Sequence, residues 1–241
     1  MEKRLFNEIK HGKFLASSGA GEIWNWESPA GKVRWARRVK LLSAEITPQM
    51  QVLEIGCGTG YFTRELAKTG AKIIAIDISP DLIAKAREEI KQSNVFFSVQ
   101  NAYASVFQND EFDYIAGSSV LHHLNLPKAL SEINRILKPG GKFFFTEPNM
   151  LNPQIALQKN IPWLKKKLGD SPDETAFFRW QLYGILKKYG FSAISVQPFD
   201  FLHPSVPSNF IPFIDNLGKL IEKIPLLREI AGSLVISACK R

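Results

Sequence analysis

Only two cysteines, Cys57 and Cys239, stand in 241 residues. They are too few and too far apart for a disulfide framework or a thiolate metal site, and no other metal-ligand spacing is present, so no metal is expected. No stretch approaches the length of an apolar membrane span. Residues 1–21 lack an apolar core followed by a small-residue cleavage site, so no secretory signal is expected. A reducing, cytoplasmic setting follows from these absences. Internal repeats and low-complexity tracts are missing too. Basic residues outnumber acidic ones by 31 to 23, a net charge of +8. They are scattered, with short clusters at Arg37–Arg38 and at Lys165, Lys166 and Lys167. Without a basic stripe interleaved with aromatics, nucleic acid is not an expected partner. The surplus suits a phosphorylated small molecule or a membrane surface, or solubility alone.

What is present is enough for a large core. Hydrophobic residues make up 45% of the chain, and the length fits one large α/β domain or a domain with an added lid. Apolar runs at 52–55, 72–76, 95–99, 112–116, 142–146 and 191–197 read as strands. Helical patterns lie between them, as in the helix that Ser79 and Pro80 open and in residues 126–137. Such alternation predicts a doubly wound, mostly parallel sheet. A last short apolar strand is expected at 232–239. Lys138-Pro139-Gly140-Gly141 reads as a sharp turn before the fifth strand. Residues 150–173 carry Pro153, Pro162 and Pro172 and read as an irregular insertion with short helices. A helix is expected over 175–189, ending at Gly190.

The stretch that organises the chain is Glu54-Ile55-Gly56-Cys57-Gly58-Thr59-Gly60. It follows a buried strand and precedes a helix, the place where open α/β sheets bind cofactors. Glycine lets the main chain take positive φ and lets a ligand approach closely. The spacing departs from the dinucleotide fingerprint, which needs a further small residue where bulky Tyr61 stands. Glu54, an acid closing the strand, would repel a pyrophosphate and suits a cationic ligand. Asp77 closes the second strand on the same sheet edge, where its carboxylate can accept from ribose hydroxyls or cap the following helix. Ile78 would pack on a base.

Glu-x-Gly-x-Gly-x-Gly resembles the first motif of class I methyltransferases dependent on S-adenosylmethionine (SAM). The segment from Phe112 through Gly117, Ser118, His122 and His123 to Leu124 resembles the fourth strand and following turn of the type 11 methyltransferases. Lys138-Pro139-Gly140-Gly141 completes the likeness, which covers residues 51–149 and fades in the last third. The resemblance implies a Rossmann-like seven-stranded sheet of order 3-2-1-4-5-7-6 with the last strand antiparallel. It implies a single domain over 1–241, with an N-terminal cap over 1–45 and substrate-side insertions over 150–190 and 199–230. It implies SAM as cofactor, held by Glu54, Gly56, Cys57, Gly58, Gly60, Asp77, Ile78, Asn101, Ala102 and Ser118. Asn101 stands where the family usually has an Asp; its amide can still accept from adenine, or it can serve as a turn residue.

Methyl transfer is an in-line displacement that an enzyme mostly assists by positioning and by excluding water. A hydroxyl acceptor needs a base. His123 and Glu147 are the candidates, and His123 could equally pack beside the cofactor. His11 and His203 receive no role. The acceptor is expected to be a small molecule with an apolar body, of lipid, isoprenoid or quinone type, because the insertions are rich in aromatics beside lysines. Trp24, Trp26 and Trp35 read as packing for the cap, and Phe6, Ile9 and Phe14 as anchors of the N-terminal segment. Residues 213–229 place Phe213, Leu217, Leu220 and Ile224 on one helical face. Such a stripe is ordinarily a core face, and peripheral membrane contact is the other reading. A catalytically silent subunit, an RNA methyltransferase and a nicotinamide oxidoreductase are the competing functions.

Overall fold

The computed structural model describes residues 3–18 and 25–241; Trp24 of the expected cap lies outside them. The strands are β1 (Gln51–Ile55), β2 (Lys72–Asp77), β3 (Val95–Val99), β4 (Phe112–Ser118), β5 (Leu137–Pro148), β6 (Phe191–Phe199) and β7 (Ser233–Lys240). They form a seven-stranded sheet of order β3-β2-β1-β4-β5-β7-β6. The first five pair in parallel, and β7 runs antiparallel between β5 and β6. The expected order, including the inserted last strand, is the observed one.

The central strands are buried on both faces, as continuous apolar runs in parallel sheets require. Neighbouring residues alternate between two cores. Leu53, Ile115, Phe143 and Phe145 pack with Leu130 and Ile133 of α5 (Leu126–Ile136) and with Leu182 and Leu186 of α8 (Arg179–Lys188). Val52, Ile73 and Tyr114 face the other way, onto Leu42 of α2 (Pro29–Ser43) and Leu66 of α3 (Thr63–Leu66).

Helix starts follow local chemistry. The Ser28 side chain accepts from Gly31 at the start of α2, and that of Ser79 accepts from Leu82 at the start of α4 (Pro80–Glu89). Asn125 and Asn152 do the same for α5 and for α6 (Pro153–Asn160). A proline stands in the first turn of each, where its missing N–H costs nothing. With α7 (Pro162–Lys167), α6 supplies the short helices expected in the insertion.

Four expectations need correcting. First, Lys138 to Gly141 do not precede β5 but lie inside it. Leu137 already pairs with Phe112, and the register shifts before Tyr114 meets Lys142. Gly140, at φ +76°, absorbs the irregularity. Second, α8 starts at Arg179 because Phe177 forms a bridge with Asn149, holding residues before it extended. Third, residues 3–18 form a long helix, α1 (Lys3–Ser18), on which Phe6 and Phe14 are exposed. Leu15 and Ala16 are its apolar anchors instead, packed on Leu82 of α4. Fourth, the stripe Phe213, Leu217, Leu220 and Ile224 is exposed. Helix α9 (Ile211–Ile221) turns Ile211, Ile214 and Gly218 inward in its place.

Candidate active site

A cavity of about 400 Å³ opens along the carboxyl ends of β1, β2 and β4 and runs beneath α1. That volume lies within the usual range for small-molecule pockets. Four groups of residues define its parts.

The glycine turn forms the floor. Gly56, Gly58 and Gly60 all have positive φ, at 71°, 54° and 84°, which side chains other than glycine's strain to reach. Their surroundings differ. A Cβ on Gly56 would meet Val120 Cγ2 at 2.3 Å, and one on Gly60 would meet Ile90 Cδ1 at 2.2 Å. Gly60 therefore lets α4 close on the turn and does not border the cavity, whereas Gly56, Cys57 and Gly58 do. The Cys57 thiol is pushed up by burial, which leaves it protonated and unreactive. Glu54 also misses the cavity lining. It is buried under the turn, accepting from the Thr63 hydroxyl at 2.5 Å. Burial raises its pKa to about 7, against the Thr63 hydrogen bond.

Asp77 lines the cavity with Ile78, Asn101 and Ala102. Asp77 Oδ2 accepts from the Gly58 N–H at 3.0 Å and Oδ1 from the Ser79 N–H at 2.9 Å. Each oxygen keeps a second lone pair for a ribose hydroxyl. The capping reading of Asp77 is thus observed, and the side chain keeps acceptor capacity on the cavity side. Burial raises its pKa, opposed by those two N–H donors. Asn101 Oδ1 accepts from the Tyr103 N–H at 2.9 Å, the turn role expected as its alternative.

At one end Arg34 and Arg38 of α2 line the cavity beside Trp26 and Ser233. Both reach Asp200 Oδ2, at 2.9 and 2.7 Å. Burial lowers the Arg38 pKa to about 10, partly offset by Asp200, so it stays charged at neutral pH. Two guanidiniums against one carboxylate leave a positive surplus facing the cavity. Nothing in the sequence says that Trp26 and Asp200 would turn Arg34 and Arg38 inward.

The opposite end gathers ionisable side chains from distant segments. Glu8 and His11 of α1, His122, His123, Lys159 of α6, Asp170 and Glu174 all line it. Ser118 borders the same wall, its hydroxyl 2.8 Å from that of Thr146. His123 Nδ1 is 3.0 Å from Glu8 Oε2 and 3.6 Å from Glu174 Oε1, an ion pair off the line of a true hydrogen bond. Burial alone would lower the His123 pKa, but the two carboxylates raise it overall. His11 lies beside it, ring centroids 6.3 Å apart, and burial lowers its pKa. His122, His123 and Glu174 present ligand atoms within 4.8 Å of one another. The cation beside them is Lys159, whose Nζ lies 2.6 Å from Glu174 Oε2 and 2.8 Å from Asp170 Oδ2.

Glu147 does not line the cavity. It is buried behind the wall, accepting from the main-chain N–H groups of Val120 and Leu121 at 2.9 and 2.8 Å. Its other oxygen is 2.7 Å from His122 Nδ1. It therefore fixes the loop that carries both histidines. Ser119, in that loop, holds a non-glycine φ of +57°, a strain of the kind that collects at functional sites.

The sheet order and the glycine turn followed by Asp77 are those expected of the class I SAM-dependent methyltransferases, the class that the chain resembles. Residues 53–145 match the family model described as a methyltransferase domain. The ubiquinone biosynthesis O-methyltransferase of Coxiella burnetii (strain RSA 493 / Nine Mile phase I) is 33% identical over 134 residues, 52% of this chain and 57% of that one. The protein of the same name from Methylococcus capsulatus is 29% identical over 191 residues, 72% of this chain and 81% of that one. This chain thus spans little more than half the length of the Coxiella relative.

Among solved structures, a SAM-dependent methyltransferase from Thermotoga maritima, described as a possible histamine N-methyltransferase, aligns with a TM-score of 0.70. Its identity is 20%, covering 96% of this chain and all of that one, 100%. The N-methyltransferase NodS from Bradyrhizobium japonicum WM9, in complex with S-adenosyl-L-homocysteine, aligns at 0.64 with 16% identity over 97% and 98% of the two chains. At these identities the likeness is one of fold.

Proposed function

We propose that this chain transfers the methyl group of SAM to a small-molecule acceptor bound at the histidine end of the cavity. The observation that carries the reading is one continuous cavity joining the Gly58–Asp77 pair to the cluster around His123. The donor set fits the cofactor part by part. Asp77 offers lone pairs to ribose, and Ile78 and Ala102 border the base. The surplus charge of Arg34 and Arg38 complements the carboxylate of the methionine moiety. When bound, SAM supplies an activated methyl on a sulfonium.

The chain's own work is positional. Glu147 holds the 120–123 loop, which sets His123 toward the acceptor. A hydroxyl acceptor gives up its proton as it attacks. Neutral His123 can take it, and His11 stands beside it as a second acceptor. Charged His123, paired with Glu8 and Glu174, instead suits an acceptor bound already ionised, as a phenolate. α1 covers the cavity and excludes water. Glu54, Gly60 and Glu147 act by shaping the site, while Gly56, Cys57, Gly58, Asp77, Ile78, Asn101, Ala102 and Ser118 border it. Leu5, Leu15, Ile155 and Leu168 also line the cavity, which suits an acceptor with an apolar body, such as a quinone-type ring. The named activity of the Coxiella and Methylococcus relatives points the same way.

Calorimetry with S-adenosylhomocysteine, followed by methyl transfer from labelled SAM to catechol-type acceptors, tests the reading. A folded sample that binds no S-adenosylhomocysteine would refute it. Binding without transfer to any phenolic, amine or thiol acceptor would favour a silent subunit instead.

A further inference from the structure

We propose that the outward face of α9 and the turn after it dock on the surface of an anionic lipid bilayer. Phe213, Leu217, Leu220 and Ile224 follow one another at helical spacing and all face solvent, with Phe213 64% and Leu220 58% exposed. Leu226 continues the face at 84% exposure. The inward side of α9 is already filled by Ile211, Ile214 and Gly218 packing with Leu202 and Phe201, so the stripe is not a core face. Contiguous exposed apolar surface of this kind marks an interaction site.

The charges around it choose the occupant. The acids of the segment are engaged. Glu222 is held by both terminal nitrogens of Arg37 at 2.7 and 2.5 Å, Asp215 by Lys219 at 2.5 Å, and Glu229 by Arg179 at 2.9 Å. Lys223 is exposed and forms no ion pair among the described residues. With a chain net charge of +8, a second copy would bring like charge to the rim of the stripe. An anionic headgroup layer would meet it with opposite charge. An apolar face rimmed by lysine is how a helix lies in a bilayer interface.

The surface is also one helix away from the cavity. Asn152 Nδ2 donates to the Ile230 carbonyl at 2.9 Å, and Gln154 meets His203 at 2.8 Å. These contacts tie the start of α6 to the segment around α9. Ile155, Gln158 and Lys159 of the same helix line the cavity. A bilayer docked on α9 would therefore lie beside the wall that faces the acceptor.

The test is sedimentation of the full chain with vesicles of phosphatidylcholine, with and without phosphatidylglycerol. The expected result is partition onto the anionic vesicles, weakened by high salt. The pair Phe213→Glu and Leu220→Glu should lower that partition roughly tenfold or more, since each removes an apolar side chain that docking would bury. S-adenosylhomocysteine affinity should stay unchanged, which also shows that the variant folds. The pair Lys219→Glu and Lys223→Glu, which leaves the apolar stripe intact, should weaken binding to anionic vesicles alone. The proposal is overturned if wild-type protein ignores anionic vesicles, or if neither pair alters its partition. It is equally overturned if the stripe variants only split a dimer in analytical ultracentrifugation.

Discussion

The Gly58 N–H donates to Asp77 Oδ2 at 3.0 Å, tying the turn after β1 to the end of β2. The loop that would wrap the cofactor and the carboxylate that would hold its sugar are thus one hydrogen-bonded unit. Asp77→Ala removes the acceptor of two main-chain N–H groups as well as the sugar contact. Affinity for S-adenosylhomocysteine should fall roughly 10- to 100-fold, since hydrogen bonds to a charged group are worth about 1.5–3 kcal/mol. Calorimetry reads this directly. Unchanged affinity would remove Asp77 from the site.

Gly60 should behave differently from Gly58. Gly60→Ala puts a Cβ within 2.2 Å of Ile90 Cδ1 at a positive φ, so the defect should appear as a lower melting temperature. A cost of about 1–3 kcal/mol is expected from overpacking. Gly58→Ala borders the cavity and should lower cofactor affinity more than stability. Thermal denaturation and calorimetry on the two variants separate the roles.

Arg38 and Asp200 are both buried, 2.7 Å apart. Asp200→Ala leaves Arg38 and Arg34 facing each other without their shared carboxylate. A loss of about 3–5 kcal/mol is expected for breaking such a pair from one side. Urea unfolding measures it, and Arg38→Met added to Asp200→Leu should recover part of the loss.

His123 gives a pH dependence with a definite sign. Its folded pKa is raised above the usual value of about 6.5 because Glu8 and Glu174 overcome the effect of burial. A raised pKa stabilises the fold fully below the unfolded value and loses that contribution as pH rises through the folded one. The stability difference between wild type and His123→Gln should therefore be largest near pH 6 and shrink at alkaline pH. If His123 is the base, transfer to a hydroxyl acceptor should rise over the same interval, because only the neutral ring accepts a proton. A flat rate profile with intact stability linkage would leave His123 as a positioning residue.

Glu147→Gln should lower kcat with little change in S-adenosylhomocysteine affinity. The substituted amide brings N–H groups toward those of Val120 and Leu121, which now have a carboxylate to donate to. The loop carrying His122 and His123 would then lose its register. A loss of affinity as large as that of kcat would contradict a purely positional role.

The parts legible in the sequence were local ones. The β1 run, the alternating glycines and Asp77 lie within 26 residues of one another, since Gln51 to Asp77 spans that separation, and each follows from strand, turn and cap chemistry. Ser79 and Pro80 marked the start of α4 in the same way. The histidine end of the cavity was not legible, because Glu8, His11, Lys159 and Glu174 meet only through the docking of α1 and of the 150–190 insertion on the sheet. Periodicity likewise found the α9 stripe but not its direction. Ile211, Ile214 and Gly218 on the opposite side form an equally good inward face, so hydrophobic spacing alone could not choose between them. Glu54 and Glu147 were correctly placed at strand ends, yet whether a carboxylate looks into a crevice or under a loop depends on partners such as Thr63 and Val120.

Helix α1 touches both compartments of the cavity at once. Its Gly12 lies so close to Ser79 that a Cβ there would come within 2.5 Å of Ser79 Cβ, while its Glu8, one turn earlier, pairs with His123. A rigid helix fastened at both places cannot uncover one without disturbing the other. Departure of spent cofactor and of finished product would then share a single gate, and the rate at which that roof lifts would set an upper bound on turnover.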